Sequence, residues 1–263
     1  MLRNIKEIQG YTIRAIDGEI GNVHDFYFDD RMWVIRYMIA DTGGWLSGRK
    51  VLISPIALDK PKWEEEILPV NLKKEKVENS PGVDTEKTVS RQHERETLEY
   101  YRWPIYWEYM SYPSITAART TVHPEMAAKQ AEKEPQEEKK EEGDSHLRST
   151  KEVEDYKIQA NDGEIGHVDD YVVDDEDWTI RYIVVDTRNW LPGKKVLVAP
   201  QWIKNVEWTN RKVYVDLPKE AIKNSPEFDP SSPINRDYEN RLYDYYGRRK
   251  YWTETLEQRK DIG

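Results

Sequence analysis

The chain has 263 residues, enough for one or two domains that each bury a core without covalent staples. Charged residues (34%) nearly balance hydrophobic ones (37%), yet 17 Tyr and 10 Trp supply the large apolar groups that disordered chains lack, so at least part of it folds. With no cysteine, disulfides, thiolate nucleophiles and Cys-ligated metals are excluded, and a formal charge of -10 disfavours direct contact with phosphate backbones.

No apolar run approaches the ~18 residues of a membrane span. The opening Met1-Leu2-Arg3-Asn4-Ile5-Lys6 lacks a signal peptide's apolar core, so the expectation is a soluble, cytoplasmic protein with no transmembrane segment.

A repeat organises everything that follows. Asp17-Gly18-Glu19-Ile20-Gly21 recurs as Asp162-Gly163-Glu164-Ile165-Gly166, 145 positions later. The same offset pairs Trp33 with Trp178, Arg36-Tyr37 with Arg181-Tyr182, and Trp45-Leu46 with Trp190-Leu191. It also pairs Trp63 with Trp208, Asn79-Ser80-Pro81 with Asn224-Ser225-Pro226, and Tyr106-Trp107 with Tyr251-Trp252. Duplication of one folded unit is the simplest account. Three regions result: a first repeat over 1–112, a charged flexible tether over 113–150, and a second repeat over 151–263.

The first repeat reads like the second, except that its helical face (Val89, His93, Thr97, Tyr100, Tyr101) is weaker and its tail, Trp103-Pro104-Ile105-Tyr106-Trp107, is strongly aromatic. The tether carries the mixed-charge run from Lys129 to Gly143, has no aromatics there to bury, and predicts units free to reorient unless they pack together.

In the second repeat, Tyr156, Ile158 and Ala160 alternate with polar residues ahead of the tight-turn signal Asn161-Asp162-Gly163, which predicts a hairpin. Ile165–Val173 and the β-branched run Thr179–Val185 follow, separated by an acidic turn; Lys195–Ala199, Ile203–Trp208 and Lys212–Leu217 complete six short strands. Short strands joined by turns predict a small antiparallel β-barrel or sandwich. Beyond it, Ser232-Pro233 reads as an N-cap and first helical position, with Ile234, Tyr238, Leu242, Tyr245 and Tyr246 on one face and an end near Gly247. Aromatic stripes of this kind belong under a cover, either as ordinary core or at a partner surface.

Asp17-Gly18-Glu19-Ile20-Gly21-Asn22-Val23 leading to Asp29, then Ile35-Arg36-Tyr37 and Lys50-Val51-Leu52-Ile53-Ser54-Pro55, resembles the PRC-barrel family over the first seventy-odd residues of each repeat. The resemblance implies two repeated small antiparallel β-barrels, each followed by a C-terminal helix and an aromatic tail: mainly β with α. The family includes the cytoplasmic barrel of the photosynthetic reaction centre H subunit and the C-terminal domain of the ribosome-maturation factor RimM. The H subunit's amino-terminal membrane helix and RimM's amino-terminal domain have no counterpart in this sequence, so neither role transfers intact.

Chemistry is sparse in the sequence. None of the five histidines recurs at the offset, and no nucleophile elbow is present. Gly43 to Lys50 echoes a phosphate loop, but Arg49 stands where lysine is needed and the flanks read strand-to-strand. The acidic sets Asp25, Asp29, Asp30 and Asp170, Asp174, Asp175, Asp177 lack EF-hand spacing and read as solvated turn formers, with weak calcium binding as a lesser reading. No catalytic residue, cofactor site or metal site is therefore assigned.

What both repeats present is tryptophan beside cations: Trp45 with Arg49 and Lys50, and Trp190 with Lys194 and Lys195. These six are the candidate protein-binding residues. The leading expectation is a non-enzymatic adaptor or assembly protein for protein partners, with a reaction-centre H-like role as a sub-case. Self-association or packing of the repeats on each other is a further use for the aromatic faces. The alternatives are a ribosome- or RNA-processing-associated factor, reached through a basic protein rather than nucleic acid, and a small-ligand or calcium-responsive module.

Overall fold

A computed structural model describes residues 1–43, 48–108, 146–187 and 194–253. In the first repeat, β1 (Leu2–Asn4) and the short helix α1 (Ile5–Ile8) precede β2 (Thr12–Ala15), β3 (Gly18–Asp29), β4 (Val34–Asp41), β5 (Lys50–Ile53) and β6 (Ile67–Pro69). The helices α2 (Lys74–Glu78) and α3 (Arg91–Tyr101) follow. The second repeat repeats this order: β7 (Leu147–Ser149), α4 (Thr150–Val153), β8 (Lys157–Ala160), β9 (Gly163–Asp174), β10 (Ile180–Asp186), β11 (Lys195–Val198), β12 (Ile203–Glu207), β13 (Lys212–Val215), α5 (Lys219–Asn224) and α6 (Arg236–Tyr246).

The chain divides into two compact units. Unit 1 comprises Met1, Ile5–Val153 and Val173–Ile180; unit 2 comprises Leu2–Asn4, Glu154–Val172 and Arg181–Gly263. The strand order is β5-β4-β3-β2-β6 in the first sheet and β11-β10-β9-β8-β13-β12 in the second. Both are mixed rather than purely antiparallel, because β2 pairs with β6 in parallel and β8 with β13 likewise. Alternation of apolar residues fixes which face of a strand is buried but not its direction. The 3₁₀ turns at Pro55–Ala57 and Trp63–Glu65 intervene before β6 and allow a parallel approach. The expected fifth strand is present in unit 2 as β12, whereas its counterpart in unit 1 is reduced to the bridges Leu58↔Val70 and Lys62↔Ile67.

Each sheet also takes in a strand that lies far away in sequence. β7 pairs with β3 in unit 1, matching Tyr27 with Ser149, Phe28 with Arg148 and Asp29 with Leu147. β1 pairs with β9 in unit 2. Residues 147–150, expected as the end of the tether, thus form a strand and open a helix. Leu147 fills the unit 1 core beside Tyr27, Tyr37, Ile39, Leu52, Val89 and Leu98.

The repeated Asp-Gly-Glu-Ile-Gly motif has a structural cause. Gly21 and Gly166 hold φ of +132° and +151°, and a Cβ would lie 2.0 Å from the Asp41 carbonyl oxygen and 2.2 Å from that of Asp186, so only glycine lets β3 and β9 cross so closely. Asp17 and Asp162, at the hairpin tips, accept the backbone N–H of Lys74 at 2.8 Å and of Lys219 at 2.7 Å. They thereby cap α2 and α5, whose own N-cap residues, Lys73 and Pro218, make no side-chain cap bond.

α3 and α6 are capped by Ser90, accepting from His93 N, and by Asn235, accepting from Tyr238 N. The expected cap at Ser232 is corrected, since its hydroxyl bonds Asp229 instead. The end at Gly247, left-handed at φ +60°, is as expected. The buried faces are rotated from the expected stripes: Glu94, Thr97, Leu98 and Tyr101 in α3, and Glu239, Leu242 and Tyr243 in α6. Tyr245 stays 43% exposed. In unit 1 the tail residues Trp103, Ile105, Tyr106 and Trp107 pack on the unit's own core, so the aromatic stripe is covered from within.

Candidate functional site

The loop residues form a pinned base. In unit 1 the Thr42 N–H and hydroxyl both donate to the Arg49 carbonyl, at 3.1 and 2.6 Å; in unit 2 Thr187 makes the same pair to the Lys194 carbonyl, at 3.1 Å each. Both threonines are 1% exposed. Arg49 Nη2 donates to the Val77 and Glu78 carbonyls at 3.4 and 2.6 Å, and Lys194 Nζ to the Lys223 carbonyl at 2.6 Å. Each cation thus meets the negative end of a short helix, α2 or α5. Lys50 donates to the Thr85 hydroxyl at 3.1 Å, and Lys195 pairs with Asp169 at 2.7 Å. Arg49 and Lys194 brace the loop base, while Lys50 and Lys195 are engaged with Thr85 and Asp169, so all four have partners within the fold. Trp45 and Trp190 lie outside the described residues.

A second constellation went unread in the sequence. Glu94, fully buried on α3, accepts from Arg91 Nη1 at 2.9 Å and from the Tyr106 hydroxyl at 2.6 Å. Arg36, on β4 and 4% exposed, pairs with Asp29 at 3.2 Å and lays its guanidinium 4.2 Å above the Tyr106 ring. Arg91 covers Trp107 at 4.3 Å. The same design recurs in unit 2. Glu239 accepts from Arg236 at 2.9 Å and from the Tyr182 and Tyr251 hydroxyls at 2.7 and 2.9 Å, with Arg181 4.6 Å over Tyr251 and Arg236 4.3 Å over Trp252. Sheet, helix and tail are therefore stitched together through one buried carboxylate.

Burial pushes the Glu94 carboxyl up to about 7, against the pull of Arg91 and the Tyr106 hydroxyl. Burial, with Glu94 adding to it, likewise raises Tyr37 and Tyr106 well above the usual phenol range, so both stay protonated donors. With no exposed surface, Glu94 acts on its own fold rather than on a substrate. The signal that would have found it is Arg91-x-x-Glu94 recurring as Arg236-x-x-Glu239 at the repeat offset.

The acidic turns are corrected too: Asp25, Asp29 and Asp170 are 4%, 9% and 5% exposed, not solvated. Asp25 accepts from the Ser149 and Thr150 hydroxyls, Asp29 from Arg36 and the Arg31 and Met32 N–H groups, and Asp30 pairs with Arg148 and His146. Protein donors occupy the oxygens a cation would need.

A family model described as the PRC-barrel domain matches residues 2–77 and again 148–222, together more than half of the chain. The chain belongs to the PRC-barrel family. No curated protein matches it. The two PRC-barrel repeats account for the mainly β fold, and the motif glycines and aspartates that carried the resemblance are those that set the β3–β4 crossing and cap α2. Among the described residues, no helix is long and apolar enough to cross a membrane.

Proposed function

We propose that this tandem PRC-barrel protein is a non-enzymatic, cytoplasmic adaptor or assembly factor that engages protein partners through the Trp45 and Trp190 loops. The observation that supports this reading is the identical seal under both loops. Thr42 with Arg49 and Thr187 with Lys194 close segments of equal length, each carrying Trp-Leu, on a base fixed to the sheet and to a short helix. A fixed base lowers the ordering cost of docking, and large aromatic anchors dominate interface energies. Two such loops on one chain bind a partner with two matching sites more tightly than either does alone.

Capture of partners by the tagged full chain, compared with the Trp45→Ala, Trp190→Ala double variant, tests the reading. Specific partners should disappear in the variant while its circular dichroism spectrum is unchanged; retention of the same partners refutes the loop assignment. The identity of what is lost separates the finer readings. Membrane electron-transfer subunits favour the reaction-centre H-like role, and ribosomal proteins that survive ribonuclease favour ribosome maturation.

A further inference from the structure

The C-terminal part of β3 is a sheet edge that its own repeat does not cover. β2 pairs with β3 only as far as Asn22. Along Tyr27–Asp29 one side of the strand faces β4 and the other faces β7. These residues are buried, so removing β7 would leave backbone donors and acceptors unpaired in a dry stretch. It would also empty the Leu147 position in the core.

Side chains fasten the incoming segment at both ends. Asp30 takes Arg148 Nε at 2.9 Å and His146 Nδ1 at 3.2 Å, while its N–H donates to the His146 carbonyl at 2.9 Å. Buried Asp25 takes the Ser149 hydroxyl at 2.5 Å, the Thr150 hydroxyl at 2.7 Å and the Lys151 N–H at 3.4 Å. The second repeat shows the reciprocal arrangement, with the Asp175 N–H donating to the Met1 carbonyl at 2.9 Å and the Met1 ammonium paired with the Asp175 carboxylate.

The two inserted segments are near-copies, Leu2-Arg3-Asn4-Ile5-Lys6-Glu7 and Leu147-Arg148-Ser149-Thr150-Lys151-Glu152, but they are not equivalent. Ile5 has no hydroxyl where Thr150 donates to Asp25. The β3 site therefore fits the later segment better than a second copy of the first.

We propose that the Tyr27–Asp29 edge of β3, bounded by Asp25 and Asp30, is a donor-strand site whose occupant is the 146–153 segment of this chain. This donation and its counterpart from Leu2–Asn4, rather than the covalent tether, keep the two halves of the chain associated. The tether supplies effective concentration, which favours exchange within one chain over exchange between copies.

A protease site inserted between Ala131 and Glu132 of the full chain, cut after folding, tests this. The cut halves should sediment as one 1:1 species at micromolar concentration. Arg148→Ala with Thr150→Val should raise their dissociation constant about tenfold or more, because Asp30 and the buried Asp25 each lose a donor. Separation of the wild-type halves at micromolar concentration overturns the proposal. So does an unchanged dissociation constant in the variant, since other surfaces would then hold the halves. Melting of the uncut variant establishes that it folds; should it not, Asp25→Asn, which keeps the shape of the site, serves for the same measurement.

Discussion

The two units solve one problem with different donor sets. In unit 2, Glu239 is held by three groups, Arg236, Tyr182 and Tyr251. In unit 1, Glu94 is held directly by Arg91 and Tyr106, while the hydroxyl of Tyr37, the counterpart of Tyr182, faces Glu94 in looser geometry. Arg91 is also far more enclosed than Arg236, with 14% of its side chain exposed against 52%. Duplicated residues keep their roles as fasteners between sheet, helix and tail, yet small shifts in geometry decide how well the buried charge is compensated. Unit 1 holds a carboxylate that burial raises, and is the place to look for pH-dependent stability.

The hardest test of equivalence is the glycine crossing. Gly21→Ala and Gly166→Ala each force a Cβ into a backbone carbonyl at a φ that alanine avoids, so each should cost on the order of 3 kcal/mol or more in chemical denaturation. Equal losses would confirm that both repeats depend on the same close approach. Tolerance of one would show that its sheet can relax where the other cannot.

Next in size is the carboxylate contrast. Because burial raises Glu94 from 4.5 to about 7, the folded chain retains a proton that the unfolded chain has released over that interval. The stabilisation it carries is complete below about pH 4.5 and is lost as pH rises to about 7, an effect on the order of 3 kcal/mol. Glu94→Gln should remove that slope relative to wild type and cost little at neutral pH, since it deletes a poorly compensated charge. Glu239→Gln should instead cost about 1 to 3 kcal/mol at neutral pH, because three donors lose a charged acceptor. Denaturation midpoints at pH 5 and pH 7.5 for both variants decide it, and a slope that survives Glu94→Gln would place the titrating group elsewhere.

These contrasts show what was legible in the sequence. The period-2 runs and the Asn161-Asp162-Gly163 turn located β8 to β11 within a residue or two, because side-chain alternation and turn chemistry are local properties. The parallel β2–β6 and β8–β13 pairings depend on the route of the intervening chain, which no local pattern encodes. The exchanged strands are three residues long and apolar only at Leu2 and Leu147, too brief for a periodic signal. Glu94 and Glu239 were hidden because a charged residue on a helix ordinarily faces water, and only the partners converging from sheet and tail reverse that expectation. Of the candidate site, the recurrence of cations at Arg49 and Lys194 was visible, but their task as helix clamps was not, since α2 and α5 are too short to announce themselves.

That clamp gives the smallest and most discriminating comparison. Arg49 reaches two carbonyls at the end of α2, whereas Lys194 reaches one at the end of α5. Arg49→Ala and Lys194→Ala should each cost about 0.5 to 1 kcal/mol, the scale of a cation at a partly exposed helix C-terminus, with faster amide exchange confined to Lys74–Glu78 or Lys219–Asn224. Arg49→Lys recreates in unit 1 the chemistry that unit 2 already uses, so it should recover most of the loss. If it recovers none, the second carbonyl contact matters more than the charge, and the loop base of unit 1 depends on the fork geometry of arginine. Since the same residue closes the Trp45 loop through its own carbonyl, Arg49→Ala should weaken partner capture only where loosening of α2 spreads to that base. A variant that loses the clamp but keeps capture would show that the Thr42 bonds alone hold the loop in place.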